Sequence, residues 1–333
     1  MDTAFVTGGT GFVGANLVRL LLGKGFRVKI LVRKGSNRKN LEGLDVSIVE
    51  GDLLDEKTLA EGCAGVRYAF HVAADYRIWV PDPAAMNAAN VQGTVNVIRA
   101  ASKAEKIVYC SSVAAVKPPH DRVPVDENST YADVAEIPGV YKQSKFLAER
   151  AALALAGKGL PVVIVNPAAP IGPFDIKPTP TGRMLVDFLN GRMPSYIDTG
   201  LNIVHVRDVA MGHLLAAQKG RVGERYILGG ENLTFKQILD LLAEITGLPA
   251  PRFKTPYAVA YAFAACETAF CRLTGREPRA PLDAVRMARH FMWYDSGKAR
   301  RELGYAPVGA RQALADAAAW FQTNGYARPA AAA

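Results

Sequence analysis

Residues 4–22 constrain the fold of this 333-residue chain more than any other stretch. Phe5 and Val6 have the character of a buried strand, residues 8–14 carry four glycines, and residues 16–22 place apolar side chains at helical spacing. Glycines let an anion approach the backbone closely, and a helix N-terminus directs free N–H groups and a positive dipole end at it. The stretch therefore predicts a phosphate-binding turn between a strand and a helix.

Such a strand, glycine turn and helix form the phosphate-binding corner of a Rossmann unit. The glycines fit Gly-x-Gly-x-x-Gly through Gly9, Gly11 and Gly14, and Gly-x-x-Gly-x-x-Gly through Gly8, Gly11 and Gly14. Because this pattern lies between a strand and a helix, it predicts dinucleotide binding. The predicted cofactor contacts in the turn are Gly8, Gly9, Thr10, Gly11, Phe12, Val13 and Gly14.

Strand and helix patterns alternate through the first half of the chain, which predicts the α/β class: a doubly wound parallel Rossmann sheet with helices on both faces. We expect residues 1–170 to form the cofactor-binding domain, with further core segments around 200–230. A proline-rich turn at 166–173 marks the exit from this core. Residues 171–328 then form mainly a small mixed substrate-binding lobe, and 329–333 a disordered tail.

The chain carries a formal net charge of +9 and a pI of about 9.4. The basic residues are dispersed, with no basic stripe interleaved with aromatics, so we expect no nucleic-acid partner. Basic groups near a cofactor phosphate, or a weak attraction to acidic membranes, account for the sign of the charge equally well. Peripheral membrane contact therefore stays open. No apolar run has the length of a transmembrane helix.

The four cysteines indicate the compartment of the protein. Cys63, Cys110, Cys266 and Cys271 show no Cys-x-x-Cys spacing and no metal-site pattern, which favours reduced thiols and a cytoplasmic location. The first residues are predicted to enter a strand at once, so we expect no signal peptide. We expect no bound metal.

A basic loop follows the second predicted strand, 26–32, where a NAD-selecting protein carries an acidic residue for the ribose hydroxyls. Here the position is Arg33, with Lys34, Arg38 and Lys39 close behind. An arginine can stack on adenine and hold a 2′-phosphate through its fork of donors. The alternative is a solvated basic loop, but the distance from the glycine motif favours NADP(H) over NAD(H).

Other polar or small residues lie at the ends of the predicted strands. Asp52 is suited to accept a hydrogen bond from the adenine amino group, or to cap a helix predicted over 54–61. His71 ends the fourth strand, where a histidine is more often packed than catalytic. The small residues after it leave room for a ribose and nicotinamide. The remaining predicted cofactor contacts are Asp52, Leu53, Ala73, Ala74, Asn90, Ser111, Tyr141, Lys145 and Pro167.

Tyr141 and Lys145 are four residues apart on a predicted helix, so they share one face. A free tyrosine has a pKa of about 10, and a neighbouring ammonium stabilises the phenolate. This pairing makes Tyr141 a candidate general acid or base. Ser111 and Ser112 follow the fifth predicted strand, 107–110, at the edge where ligands bind in such sheets.

Together these residues resemble the extended short-chain dehydrogenase/reductase superfamily, in its NAD-dependent epimerase/dehydratase family, over nearly the whole chain. The motifs that carry the resemblance are residues 7–14, 51–53, 71–74 and 111–112, Tyr141 with Lys145, and residues 204–210. Within the superfamily the chain looks most like the dihydroflavonol-4-reductase-like branch. Its C-terminal half, including 291–295 and 298–305, is similar to bacterial proteins named hopanoid-associated sugar epimerases.

The resemblance implies that Tyr141 is the acid/base, that Lys145 lowers its pKa and holds the nicotinamide ribose, and that Ser112 polarises the substrate oxygen. Similar nucleotide-sugar epimerases place their catalytic Ser/Thr where this chain has Val113, and a diphosphate-binding arginine where it has Leu201. Ser112 therefore serves as in the reductase branch. Similar proteins also pair two helices across a two-fold axis, here predicted over 85–103 and 142–155, so we expect a homodimer.

Three functions agree with these residues. The first is an NADPH-dependent reductase of a ketone or aldehyde on a small or lipid-like substrate, and the second is a sugar epimerase with a tightly held cofactor. The third is a non-catalytic NADP-sensing protein, which the set of Ser112, Tyr141 and Lys145 argues against. The apolar stretch 257–273 lines a pocket for a hydrophobic substrate, lies on a membrane surface or packs in the core, and core packing is favoured.

Overall fold

The computed structural model describes residues 1–75, 77, 83–274, 278 and 281–327. The predicted tail, 329–333, lies outside the described residues. The strands are β1 Thr3–Thr7, β2 Arg27–Val32, β3 Ser47–Glu50, β4 Tyr68–His71, β5 Lys106–Cys110, β6 Val162–Pro167, β7 Ala169–Ile171, β8 Ser195–Tyr196, β9 Gly200–His205, β10 Arg225–Leu228, β11 Glu231–Thr234, β12 Phe253–Lys254 and β13 Phe291–Met292. The α-helices are α1 Phe12–Gly23, α2 Glu56–Cys63, α3 Pro83–Asn87, α4 Gly93–Ala100, α5 Val140–Ala156, α6 Pro180–Leu189, α7 Val206–Lys219, α8 Phe235–Thr246, α9 Tyr257–Thr274, α10 Leu282–Met287, α11 Gly297–Leu303 and α12 Ala310–Thr323.

The main sheet of the described chain has seven strands in the order β10-β6-β5-β4-β1-β2-β3. Every neighbouring pair in it is parallel. In register, Val6 of β1 lies opposite Ile30 of β2 and Phe70 of β4. The strand order reverses between β1 and β4, which opens a crevice at the carboxyl ends of these strands where ligands bind in such folds. The predicted α/β Rossmann class is therefore confirmed.

Helices pack on both faces of this sheet. Phe5 and Val6 are neighbours on β1, so their side chains point to opposite faces. Phe5 packs in a buried cluster with Leu59 of α2, and Val6 packs in another with Leu17 of α1 and Val209 of α7. All five side chains are fully buried, and each such burial contributes about 1.5–3 kcal/mol. The packing holds the carboxyl edge of the sheet in one arrangement.

A smaller mixed sheet is built from strands that come after β6, whereas β10 returns to the main sheet. Its strands run in the order β11-β9-β13, with β7 also paired to β9. Strand β11 is antiparallel to β9, whereas β7 and β13 are parallel to it. Helices α6, α8 and α12 contribute Leu185, Leu239 and Leu314 to a common buried cluster. Strands β8 and β12 form a separate two-stranded sheet.

Helix α2 begins two residues later than predicted, and Asp52 is not its N-cap. Asp55 takes that position, because its carboxylate accepts hydrogen bonds from the backbone N–H groups of Lys57 and Thr58. Asp52 instead closes a turn by accepting from the N–H of Leu54 at 3.0 Å. Both aspartates have suitable chemistry, and the path of the backbone decides which one caps the helix.

The helix predicted over 85–103 is divided into three parts. A single π-helical turn, Ala88–Gln92, joins α3 to α4, and α4 ends at Ala100. A π-turn inserts one extra residue per turn and shifts the face that the helix presents. Here the insertion surrounds Asn90, which is buried. The sequence pattern indicated a helix, but it did not reveal this shift.

Helix α9 forms where a helix was predicted, but it is not packed in the core along its whole apolar surface. Ala264 and Cys271 are buried, whereas Val259, Phe263 and Phe270 are 58%, 63% and 58% exposed. The favoured core interpretation is therefore wrong for this face of the helix. None of the helices in the described ranges combines the length and the hydropathy that crossing a bilayer requires.

Candidate active site

The glycine turn after β1 leaves a cradle that side chains would fill. Gly8 has φ +76°, and a Cβ atom there would lie 2.6 Å from the backbone N of Ala73. A Cβ on Gly14 would collide with the carbonyl oxygen of Gly8. Gly11 is the N-cap of α1 and carries no side chain to satisfy the first N–H groups of the helix. This geometry fits a pyrophosphate close to the backbone.

The structure brings Ser112, Tyr141 and Lys145 together at the carboxyl end of β5. Helix α5 places Tyr141 and Lys145 one turn apart, and the Ser112 side chain lies close enough to the Tyr141 phenol to lower its pKa. Ser112 Oγ accepts a hydrogen bond from the N–H of Ala114 at 3.1 Å. Lys145 Nζ donates to the carbonyl oxygen of Cys110 at 2.8 Å. A proton donor, a hydroxyl and a cation thus converge on one edge of the sheet.

Desolvation raises the pKa of Tyr141, and it outweighs the lowering by the Lys145 charge and the Ser112 side chain. Lys145 therefore lowers the pKa of Tyr141, as predicted. The net effect of all the protein groups is nevertheless to raise that pKa. The phenol is protonated at neutral pH as a result. That is the form a general acid requires.

A chain of hydrogen bonds fixes the ends of β1 and β4. Thr7 Oγ1 accepts from the N–H of Ala73 at 3.2 Å and contacts His71 Nδ1 at 2.7 Å. His71 Nε2 contacts Thr94 Oγ1 at 3.0 Å, and Thr94 donates to the carbonyl of Asn90 at 2.6 Å. Donors and acceptors match when His71 carries its proton on Nε2. Burial lowers the pKa of His71 to about 3, so this histidine is a neutral structural link.

Asn90 joins the loop after β4 to helix α5. Its Oδ1 accepts from the N–H of Asp75 at 2.8 Å, and its Nδ2 donates to the carbonyl of Asp75 and to Ser144 Oγ, both at 2.9 Å. Both amide protons are therefore used within the protein. The side chain positions the walls of the crevice around Ala73 and Ala74, which are partly buried.

The basic residues predicted to select the cofactor lie on an exposed loop beyond β2. Arg33 and Lys34 are exposed, and neither forms an ion pair with another described residue. Arg38 instead pairs with Glu50 at 3.1 Å. The loop is tied to the glycine turn because Asn40 Nδ2 donates to the carbonyl of Thr10 at 3.1 Å. Arg33 and Lys34 are thus available to a ligand beside the turn.

Asp52 and Leu53 lie at the next strand end, beyond β3. Asp52 is partly buried, and the carbonyl of Leu53 accepts from Asn96 Nδ2 at 3.1 Å. Leu53 also packs against Gly93, where an added Cβ would lie 2.9 Å from the Leu53 side chain. The contact holds both residues at the outer end of the crevice.

Ser111 and Pro167 are buried at the ends of β5 and β6. The hydroxyls of Tyr109 and Ser111 lack a well-formed hydrogen bond to any described residue. Unpaired buried hydroxyls are costly, so their presence at this edge fits a site completed by a polar ligand. Among the described residues, no cluster of three or more His, Cys, Asp or Glu side chains is arranged to hold a metal ion.

A comparison with known proteins agrees with this site geometry: the glycine cradle, the reversed strand order and the cluster at the end of β5. Residues 4–229 match the family described as the NAD dependent epimerase/dehydratase family. The chain belongs to this family. Its enzymes use NAD(P) chemistry on small-molecule substrates, which agrees with the crevice described above.

Similar proteins span the whole chain of this family member. A protein of Synechocystis sp. that carries the provisional name dihydroflavonol 4-reductase is 49% identical over 98% of this chain and 96% of its own length. Sterol demethylase protein B of Methylococcus capsulatus is 37% identical over 97% and 99%, respectively. The crystal structure of gox2253 has a TM-score of 0.87 at 47% identity, over 98% of this chain and 100% of that one.

Other residues of this epimerase/dehydratase family member hold Ser112 in position through hydrogen bonds. No sequence motif predicted these residues. Asn166 Nδ2 donates to the carbonyl oxygen of Ser112 at 2.9 Å and to a Glu149 carboxylate oxygen at 2.6 Å. The other Glu149 oxygen accepts from Arg225 at 2.7 Å. These contacts join β6, α5 and β10 behind Ser112 and fix its backbone. Their partners lie far apart in the sequence, so local patterns could not identify them.

Proposed function

We propose that this protein is an NADP(H)-dependent reductase that reduces a ketone or aldehyde, with Tyr141 as the general acid. The observation that carries the proposal is the convergence of Ser112, Tyr141 and Lys145 at the crevice beside the glycine turn. The reductase name of the Synechocystis relative supports the direction of the reaction.

The proposed cofactor contacts follow the crevice from end to end. The glycine turn takes the pyrophosphate, Arg33 and Lys34 the 2′-phosphate, and Asp52 the adenine edge. Lys145 takes the nicotinamide ribose, since its ammonium has two protons to spare beyond the one given to Cys110. When bound, the reduced nicotinamide supplies a hydride to the carbonyl carbon.

Side chains of the protein stabilise the negative charge that then develops on the substrate oxygen. Ser112 Oγ already accepts from the N–H of Ala114, so its own proton is free to point at that oxygen. Tyr141 is protonated and donates its proton to the same atom. Lys145 then stabilises the phenolate that remains.

We assign residues 1–170, with segments around 200–230, to cofactor binding and residues 171–328 mainly to substrate binding. Strand β10 supports this division because it pairs with β6 in the main sheet. The exposed apolar face of α9, with Val259, Phe263 and Phe270, supports a lipid-like substrate or a peripheral membrane contact. The sterol named in the Methylococcus relative agrees with a hydrophobic substrate body.

A sugar epimerase is the second candidate, favoured by the family description itself. Two positions argue against it, because the expected catalytic Ser/Thr is Val113 and the expected diphosphate-binding arginine is Leu201. Val113 is buried in an apolar cluster and Leu201 lies within β9, and neither side chain carries a polar group to contact a sugar nucleotide.

We also propose a homodimer formed through α4 and α5. These helices pack against each other, and α5 exposes Leu147, whose residue surface is 37% accessible, beside Arg150. Leu147→Glu should dissociate the dimer by placing a carboxylate in an apolar contact. Light scattering at micromolar concentration tests this, and a monomeric unmodified protein would contradict it.

A carbonyl panel followed by NADPH absorbance tests the reductase proposal directly. NADPH should be consumed with at least one ketone or aldehyde and should exchange freely with the enzyme. Native mass spectrometry provides the contrast, because an epimerase should carry its cofactor through purification. Retained cofactor with no NADPH consumption would favour the second candidate.

A further inference from the structure

A buried lysine follows the proposed general acid directly in helix α5. Lys142 is only 6% exposed, and it forms no hydrogen bond or ion pair with any residue in the described part of the chain. Buried charges are normally paired, because removing an ammonium from water is costly. The reductase mechanism proposed above does not use this side chain. Its charge is therefore unexplained by that mechanism.

Among the described residues, no carboxylate compensates the charge of Lys142. Desolvation lowers the pKa of Lys142 to about 8, and no acidic side chain offsets this shift. Asp283, whose side chain lies against Gly139 at the start of α5, pairs with Arg286 at 3.2 Å, and Asp198, next to Thr199, pairs with Lys254 at 3.0 Å. The ammonium is nevertheless the major form at pH 7, so an unpaired positive charge is retained.

Two histidines extend the same positive cluster. The rings of His120 and His290 meet edge to face, with centroids 6.1 Å apart. Desolvation, followed by the charges of His120, Lys142 and Arg289, lowers the pKa of His290. The His290 backbone is held in place by Thr199, whose hydroxyl donates to its carbonyl oxygen at 3.2 Å. The cluster therefore offers N–H donors and positive charge.

The three members of the cluster come from separate parts of the fold. Lys142 lies in α5, His120 follows Ser112 beyond β5, and His290 precedes β13 of the smaller sheet. The first two belong to the segments that carry the proposed acid and hydroxyl. The third comes from the region that we assign to substrate binding. An anion held here would therefore lie between the segments that carry the proposed acid and hydroxyl and the region that we assign to substrate binding.

We propose that Lys142, His120 and His290 form a carboxylate subsite, and that the substrate is an oxo acid with an apolar body. This inference rests on the reductase proposed above. The Lys142 ammonium with two imidazole donors suits a single carboxylate. A doubly charged diphosphate is typically held by several arginine forks, whereas among the described residues Arg289 is the arginine whose charge also reaches His290.

The test uses the enzyme saturated with NADP⁺, with decanoate and decan-1-ol as probes in calorimetric titrations. Lys142→Met should weaken decanoate binding by roughly 10- to 100-fold, the scale of a lost charge-assisted contact, and leave decanol binding unchanged. Lys142→Arg should restore part of the decanoate affinity. Lys103→Met is the matched control, since Lys103 is exposed and remote in sequence from the cluster.

Thermal melting without probe separates a binding role from a structural one. Lys142→Met should melt at the same temperature or higher, because it removes an unpaired buried charge. A lower melting temperature, or equal decanoate affinity in the Lys142→Met and unmodified enzymes, would overturn the subsite. Decanoate binding that depends on Lys142, in an enzyme that reduces no carbonyl, would leave the subsite standing and refute the reductase proposal.

Discussion

Lys145 Nζ is held 2.8 Å from the carbonyl oxygen of Cys110 and 4.7 Å from the centre of the Tyr109 ring. The first contact is a charge-assisted hydrogen bond and the second a cation–π contact. Both partners belong to β5, so the strand sets the position of the ammonium before any ligand binds. This arrangement needs no movement of α5 to bring the cation close to the Tyr141 phenol.

Replacing the two residues should separate proton donation from cofactor binding. Tyr141→Phe removes only the proton, so turnover should fall by roughly 10²–10⁴-fold while NADPH affinity is kept. Lys145→Met should damage both, because the ammonium also serves the ribose in our proposal. Single-turnover NADPH oxidation and calorimetry measure the two effects. An unchanged rate for Tyr141→Phe would end the assignment of the general acid.

Cofactor preference should depend on Arg33. The side chain is exposed on the loop that Asn40 ties to the glycine turn, and it forms no ion pair with another described residue, so a 2′-phosphate can reach it. Arg33→Asp should weaken NADP(H) binding by about 2–5 kcal/mol, because a charge-assisted contact is lost and repulsion is added. Lys39→Asp, with the same charge change farther along the loop, is the control. Equal affinities of the unmodified protein for NADP(H) and NAD(H) would refute the preference.

Local chemistry made the glycine turn and the Tyr141–Lys145 pair predictable. Both depend on residues within a few positions of each other, where backbone geometry alone fixes the relationship. The partners of Asn40 and Asn166 were not predictable, because Asn40 also bonds the carbonyl of Phe174, 134 positions away. Lys142 gave no signal either. Lys142 is buried because distant segments pack against it, and the helical periodicity of the sequence cannot predict that packing.

Stability should fall in mild acid partly because of His213. This side chain is fully buried in α7, and desolvation lowers its pKa to about 4 from an ordinary 6.5. The unfolded chain binds the proton first, so the stabilising contribution is complete above pH 6.5 and is lost as the pH falls toward 4. The slope is about 1.4 kcal/mol per pH unit. Urea denaturation at pH 7 and pH 5 should show it.

A His213→Leu variant isolates that contribution from those of other titrating groups. The leucine cannot bind a proton, so the loss of stability between pH 7 and pH 5 should be smaller than in the unmodified protein. The hydrogen bond from His213 Nδ1 to the carbonyl of Val209 is lost at every pH and does not alter the slope. Identical pH slopes would show that His213 titrates normally in the folded state.

The two serines after β5 should differ in their effect on turnover. Ser112 Oγ accepts from the N–H of Ala114 and lies close enough to the Tyr141 phenol to lower its pKa, so its proton can be directed at a substrate oxygen. Ser111 is buried, and its hydroxyl has no well-formed partner among the described residues. Ser112→Ala should therefore lower turnover by roughly 10²–10³-fold, the scale of a lost oxyanion donor. Ser111→Ala should change turnover far less, and steady-state kinetics of the two variants with one carbonyl substrate compares them. A larger loss from Ser111→Ala would move the role of hydrogen-bond donor to that residue.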